Sequence, residues 1–143
     1  MNTRRMEAEL VRDAVFFTAG GLDLARGGPD IGFDLASETP RRSLYFQHAH
    51  EKQNRMFELF DSASVNECYR RSESIVPQQA LALVNSDVAV NHSRILAKRL
   101  SEQTSGDATP AKVFVRLAYE RVLGRRPTNA ESDECRNFLD EQT

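Results

Sequence analysis

Apolar residues recur every three or four positions along most of the chain, the spacing that places side chains on one face of an α-helix. The pattern predicts five to six helices joined by one long irregular segment. The expected helices are Arg4–Ala19, Glu51–Phe60, Pro77–Asn85, a helix starting near Asp87, Pro110–Leu123 and a last helix after Thr128.

Each helix is expected to turn one apolar face towards the core. In the first helix, that stripe is Met6, Leu10, Ala14 and Phe17, widened by Val11 and Val15. Arg12 is assigned to the polar side. The other inward faces are Met56, Phe57 and Phe60; Ala80, Leu81, Leu83 and Val84; Val88, His92, Ile95, Leu96 and Leu100; Phe114, Leu117, Ala118 and Val122; and Cys135, Phe138 and Leu139.

Local signals mark several helix ends. Gly20 and Gly124 are placed to end helices in the left-handed conformation that glycine adopts readily. Pro77 and Pro110 suit the first position of a helix, where the missing N–H costs no hydrogen bond. The run from Thr128 to Glu131 has the sequence of a capping box.

Between the first and third helices lies a loop-rich excursion, Leu22–Ser74. Ile31–Pro40 is expected to be loop, and Ser43–His48 is the one strand candidate, with Leu44 and Phe46 on the same side. A lone strand leaves its backbone unsatisfied, so this segment is either extended chain packed on helices or half of a small pairing.

The predicted fold class is therefore mainly α: an irregular helical bundle of five to six helices with a loop-rich excursion and at most one short strand pairing. We expect residues 1–143 to form a single domain, with the candidate motifs concentrated in residues 41–85.

Composition narrows the function classes. Apolar residues make up 40% of the 143 residues, and the net charge of -2 argues against a nucleic-acid surface. No apolar run approaches the roughly 18 to 20 residues of a membrane span, and charges interrupt the N-terminal segment where a signal peptide would be apolar.

The cysteines give no metal or haem motif. Cys68 and Cys135 lie far apart and fit neither CxxC nor CxxCH, and the sequence leaves open whether they pair. We therefore expect no cofactor in this chain. Cys68 precedes two arginines, which favour the reactive thiolate, but burial as a small apolar side chain is the more common role.

Four arginines form the candidate ligand site: Arg41, Arg42, Arg70 and Arg71, together with Gln79. Guanidinium groups bind carboxylate, sulfate or phosphate in a planar, two-pronged geometry. The alternative is structural, with Arg42 or Arg71 bound to Asp61 and to loop carbonyls. Irregular loops need such side-chain partners for their backbone groups, which favours the structural role.

Other chemistry finds little support. His48 and His50 would share one face of a strand, but a metal site would need a third ligand such as Glu51, so no metal is predicted. No GxSxG nucleophile motif occurs, and the Gly27-Gly28-Pro29 turn lacks the residues of a phosphate-binding loop. The sequence contains no recognisable catalytic constellation.

A set of motifs in fixed order resembles a known family: RRMEAELVRDAVFFTAGGLD, GGP, RRSLYF, FDSAS, CYRRSES, PQQALALVN and LAYERVLGRRPTNAE. Together they resemble the C-terminal domain of unknown function (family 1553) of planctomycete-type exported proteins. The resemblance covers about Arg4 to Leu139. In such proteins, this domain often occurs with a planctomycete cytochrome-c-like domain.

The resemblance implies a longer polypeptide located in the periplasm or otherwise outside the cytoplasm, with any haem in a separate domain. Two functions are compatible with this. One is a binding or structural module that docks on other domains of the same polypeptide, or binds an anionic carbohydrate through the arginines. The other is part of a hydrolase or redox enzyme whose active site is completed by further domains.

Overall fold

The computed structural model describes residues 6–66, 74 and 76–142. These residues form six α-helices and, within those ranges, no β-strand, which confirms the mainly α class. The helices are α1 (Ala8–Thr18), α2 (Arg55–Leu59), α3 (Pro77–Asn85), α4 (Asp87–Thr104), α5 (Pro110–Leu123) and α6 (Asn129–Glu141). Among these residues, no helix is both long enough and apolar enough to cross a membrane.

The chain divides into two compact units, Met1–His92 and Ser93–Thr143, and the division falls within α4. In the first unit, the core consists of small and aromatic side chains from α1, α2 and the excursion: Ala8, Ala36, Phe46, Phe57 and Phe60. The rings of Phe46 and Phe57 meet edge to face, with centroids 6.2 Å apart. The inward orientation predicted for Phe57 and Phe60 is confirmed.

The predicted core face of α1 is partly wrong, although Val11 of the predicted stripe packs against the core of the first unit. Leu10 and Phe17 are exposed, and the helix instead buries Ala8, Arg12, Asp13 and Phe16. The reason is that the neighbouring excursion presents the backbone carbonyls of Ala36, Thr39 and Arg41 to this side of α1. An arginine and an aspartate on α1 satisfy its polar groups, so this charged pair takes the inward position that a hydrophobicity pattern reserves for apolar residues.

The predicted strand Ser43–His48 is also wrong. Ser43–Tyr45 forms a short 3-10 helix, and Phe46 then makes an isolated parallel bridge with Ile31. The bridge uses two hydrogen bonds, from the Ile31 N–H to the Tyr45 carbonyl (2.9 Å) and from the Gln47 N–H to the Ile31 carbonyl (2.8 Å). A second 3-10 helix, Phe33–Ser37, lies within the expected loop and brings Ala36 into the core.

Helix α3 begins at Pro77 as predicted, but it is not mostly buried. Leu81 and Val84 are exposed, whereas Ala82 and Leu83 pack against the core of the first unit. At the start of α4, the Ser86 hydroxyl accepts a hydrogen bond from the Ala89 N–H at 3.1 Å.

In the second unit, the predicted helix ends are confirmed. Gly124 ends α5 with φ at 65°, and the capping box at the start of α6 forms in both directions between Thr128 and Glu131. The predicted inward faces are partly wrong, since Val115 is the buried residue of α5 while Val122 and Phe138 are exposed.

Candidate functional site

Arg12 lies fully buried beneath the excursion and binds its backbone at three points. Its Nε donates to the Ala36 carbonyl (2.5 Å) and its Nη1 to the Arg41 carbonyl (3.0 Å), while Nη2 donates to the Thr39 carbonyl. These three acceptors come from a single stretch of irregular chain. The guanidinium therefore substitutes for the hydrogen bonds that a helix or a sheet would give this segment.

Aromatic rings enclose the same guanidinium. Its central carbon lies 4.1 Å from the centroid of Phe16 and 4.8 Å from that of Phe46, which are cation–π distances. Burial lowers the pKa of Arg12 to about 10, and the neighbouring Asp13 carboxylate acts in the opposite direction. Arg12 therefore stays charged at neutral pH.

Asp13 supplies the compensating negative charge. Its Oδ1 accepts hydrogen bonds from the Ser43 N–H (2.8 Å) and the Ser43 hydroxyl (2.6 Å), and lies 3.4 Å from Arg12 Nη1. Its Oδ2 lies 3.5 Å from Arg42 Nε. The carboxylate partner of Arg42 is thus Asp13. Arg71, the other arginine expected to bind Asp61, lies outside the described residues, so that pairing stays a prediction. Asp13 is not among the candidates from the sequence, because a charged residue in an amphipathic helix is expected to face water.

Arg41 holds the glycine turn of the excursion. One terminal nitrogen donates to the Gly27 carbonyl and the other lies 3.5 Å from the Pro29 carbonyl, with the guanidinium stacked 4.1 Å from the centroid of the Tyr45 ring. Gly28 has φ at +97°, and a Cβ there would lie 3.0 Å from Arg41 Nη1. The positive φ is what favours glycine at this position, and any other side chain would also displace the Arg41 guanidinium slightly.

Asp61 and Gln79 bind the chain segment before α3. Asp61 has a positive φ of 58° and accepts hydrogen bonds from the Ser74 N–H (2.8 Å) and hydroxyl (2.7 Å). Gln79 Nε2 donates to the Leu59 carbonyl at 2.9 Å and to the Ser74 carbonyl at 3.1 Å. Both side chains therefore connect the end of α2 to the start of α3.

The remaining candidates are more dispersed. Arg70, Arg71 and Cys68 lie outside the described residues. His48 Nε2 lies 2.7 Å from the Ala63 carbonyl, and His50 is exposed. Within the described ranges, no three histidine, cysteine or acidic side chains group closely enough to hold a metal ion. Cys135 is a free thiol.

A cleft of about 660 Å³ opens beside this arginine-centred network. Its walls come from the 3-10 helix at Ala36, from α2 at Met56 and Leu59, and from the junction of α3 and α4 at Val88. The walls are largely apolar. The buried Arg12 borders the cleft, but its nitrogens are already bound to loop carbonyls.

The comparison with protein families decides the identity of the chain. The family model described as PSD1, protein of unknown function (DUF1553), matches residues 1–139. The chain belongs to the DUF1553 family. No curated protein and no solved structure matches it.

In this DUF1553 domain, the described part of the arginine-rich stretch is tied into the fold. Arg41, Arg42 and Gln79 each have a partner within the domain, and the residue that organises them, Arg12, lies outside that stretch. A ligand-binding role for Arg41, Arg42, Arg70, Arg71 and Gln79 stays a prediction. One signal in the sequence could have revealed Arg12: an Arg-Asp pair inside an apolar helix, next to a long segment that lacks backbone partners.

Proposed function

We propose that this DUF1553 domain is a docking module, and that α1 packs its outward apolar face against another domain of the same exported polypeptide. The observation that carries the proposal is the exposure of Met6, Leu10 and Phe17, at 51%, 43% and 59%. Large apolar residues that share one face of a helix, and remain exposed there, are typical of interaction surfaces.

The geometry of α1 supports two separate contact faces. At 100° per residue, Leu10 and Phe17 point in directions only about 20° apart, and roughly 150° away from the buried face of Ala8, Arg12 and Phe16. Met6 lies just outside the helix, before the N-cap residue Glu7. One side of α1 thus packs within the first unit of this domain. The other side exposes apolar residues that a partner domain would bury.

The contacts of the arginines favour docking over an anion site in the described part of the stretch. Arg41 directs both terminal nitrogens at carbonyls, and Arg42 pairs with Asp13. Binding an anionic carbohydrate there would compete with these contacts. Docking of the exposed apolar face would break none of these contacts. Burial of each large apolar side chain in the interface would stabilise the complex by about 1.5–3 kcal/mol.

The test is side-chain footprinting by hydroxyl radicals, applied to the 143-residue chain and to the longer natural polypeptide. We expect Met6 and Phe17 to be oxidised readily in the short chain and to be protected in the long one. Equal oxidation in both, or protection already in the short chain, would show that this face binds no other domain.

A double variant provides the control. Leu10→Glu with Phe17→Glu should weaken association between this chain and the rest of the polypeptide, supplied as a separate protein, by about tenfold or more. The matched variant Leu24→Glu with Leu44→Glu changes two exposed leucines outside α1 and should leave the affinity unchanged. An equal loss in both variants would point to added negative charge as the cause.

A further inference from the structure

A second cleft, of about 350 Å³, lies within the Ser93–Thr143 unit. It is formed by the first turns of α5, by the connection after Gly124 and by the first turn of α6. The polar residues on its walls include Thr109, Lys112, Arg116, Arg126, Asn129 and Ser132. None of the described residues that line it is acidic.

The positive charges in this cleft are only partly neutralised. Arg126 Nε is bound to Glu120 at 2.9 Å. Within the described parts of the chain, Lys112 and Arg116 have neither an ion pair nor a side-chain hydrogen bond. They lie four residues apart on α5, an arrangement that brings like charges together and destabilises a helix. An anion in the cleft would relieve that repulsion.

Neutral donors border the same cleft. The Thr109 side chain occupies the N-cap position of α5 but makes no capping hydrogen bond. The side chains of Asn129 and Ser132 likewise make no hydrogen bond to any described residue. The cleft thus combines three cationic groups with hydroxyl and amide donors that are available to a ligand.

The neighbouring arginine shows what a structural role looks like in this unit. Arg125 binds Glu131 through both terminal nitrogens, at 2.9 and 2.7 Å, and stacks near the Tyr119 ring. Arg125 is therefore satisfied within this unit, whereas Lys112 and Arg116 on the cleft wall have no side-chain partner among the described residues.

We propose that this cleft binds a tetrahedral oxyanion, carried as a phosphate or sulfate ester on a small polar molecule. Two unpaired cations and the remaining donors of Arg126 match the charge and the several acceptor oxygens of such a group. A volume of about 350 Å³ is near the lower end of small-molecule sites, which suits one esterified sugar-sized unit. The proposal concerns α5 and α6 alone and is independent of the docking of α1.

The test is a titration of the 15N-labelled 143-residue chain, followed by amide chemical shifts at constant ionic strength. The probes are inorganic phosphate, inorganic sulfate and acetate. We expect saturable shifts in residues 109–116 and 126–132 with phosphate or sulfate, and binding of acetate that is about tenfold weaker or more. Saturation by only one of the two tetrahedral ions supports the proposal and identifies the ester.

Three variants locate the binding. Lys112→Gln with Arg116→Gln should weaken binding by about tenfold or more. Arg94→Gln with Lys98→Gln makes the same change of charge at the same spacing on α4 and should leave binding unchanged. Ser132→Leu fills the cleft without changing its charge, and it should abolish the amide shifts caused by phosphate or sulfate. Shifts that never saturate, equal binding of acetate, or equal loss in the α4 variant would overturn the proposal.

Discussion

At the scale of single residues, Arg12 determines how the first unit is organised. It presents several N–H groups in one plane, which matches the carbonyls of Ala36, Thr39 and Arg41 from one irregular segment. A lysine ammonium has three donors at a single point and cannot reach all of these acceptors together. The function of Arg12 thus depends on the shape of the guanidinium as well as on its charge.

We expect Arg12→Lys to destabilise the first unit by about 3 kcal/mol, because it leaves buried carbonyls without donors and weakens the contacts of Asp13. The measurement is urea unfolding followed at NMR signals of α1 and α2. Arg55→Lys, at an exposed position of α2, is the control and should change stability by less than about 0.5 kcal/mol. Equal stability of Arg12→Lys and the parent would show that the guanidinium contacts contribute little.

Arg12 also shows why the sequence predicted the wrong face of α1. A pattern of apolar and polar positions assigns arginine to water, so it predicts that the stripe containing Leu10 and Phe17 is the core face, whereas both residues are exposed. Which carbonyls of the excursion need a side-chain donor depends on contacts between residues that are far apart in the sequence. This need becomes visible only when the loop carbonyls and α1 are brought together in space.

At the scale of elements, features that depend on a few neighbouring residues were predicted well. The start of α3 at Pro77, the end of α5 at Gly124 and the capping box of Thr128 and Glu131 are all confirmed. The prediction of a strand at Ser43–His48 was wrong because a strand needs a neighbouring strand to pair with along its length. Here the partner, Ile31, pairs at a single bridge while the chain before Phe46 turns.

The capping box leads to a prediction about pH. The hydrogen bonds from Arg125, and then from the Thr128 backbone, lower the pKa of Glu131 to about 2. Because the folded-state pKa lies below the unfolded value of about 4.3, the stabilisation is present at neutral pH. It is lost as the pH falls from about 4.3 towards 2.

The measurement is an NMR titration of the Glu131 carboxyl carbon, together with melts of Glu131→Gln. We expect the variant to be less stable than the parent at pH 7, and the difference to shrink below about pH 4.3 and to vanish below about pH 2. Glu134→Gln, on the same helix but without the Arg125 contact, is the control and should show no comparable loss at pH 7. A difference that persists unchanged at low pH would show that the ionised carboxylate is not the cause.

At the scale of the whole molecule, the sequence predicted the class of fold better than the burial of each face. Helical periodicity depends on local spacing, and six helices are present among the described residues. Whether Leu81, Val122 or Phe138 is buried depends on which surface lies opposite, and all three are exposed. Periodicity identifies a helix, but its inward face can be assigned only when the surface packed against that helix is known.

The division into two units bears on the prediction of a single domain. Contacts within Met1–His92 include the Arg12 network, and contacts within Ser93–Thr143 include the pair of Arg125 and Glu131. We expect Arg12→Lys to reduce the hydrogen-exchange protection of α1 and α2 while that of α5 and α6 is unchanged, because local opening follows cooperative units. The measurement is amide hydrogen exchange, residue by residue, on the parent and the variant. If α5 and α6 lose protection by the same factor, the 143 residues unfold as one cooperative domain and the two compact units are not independent in folding.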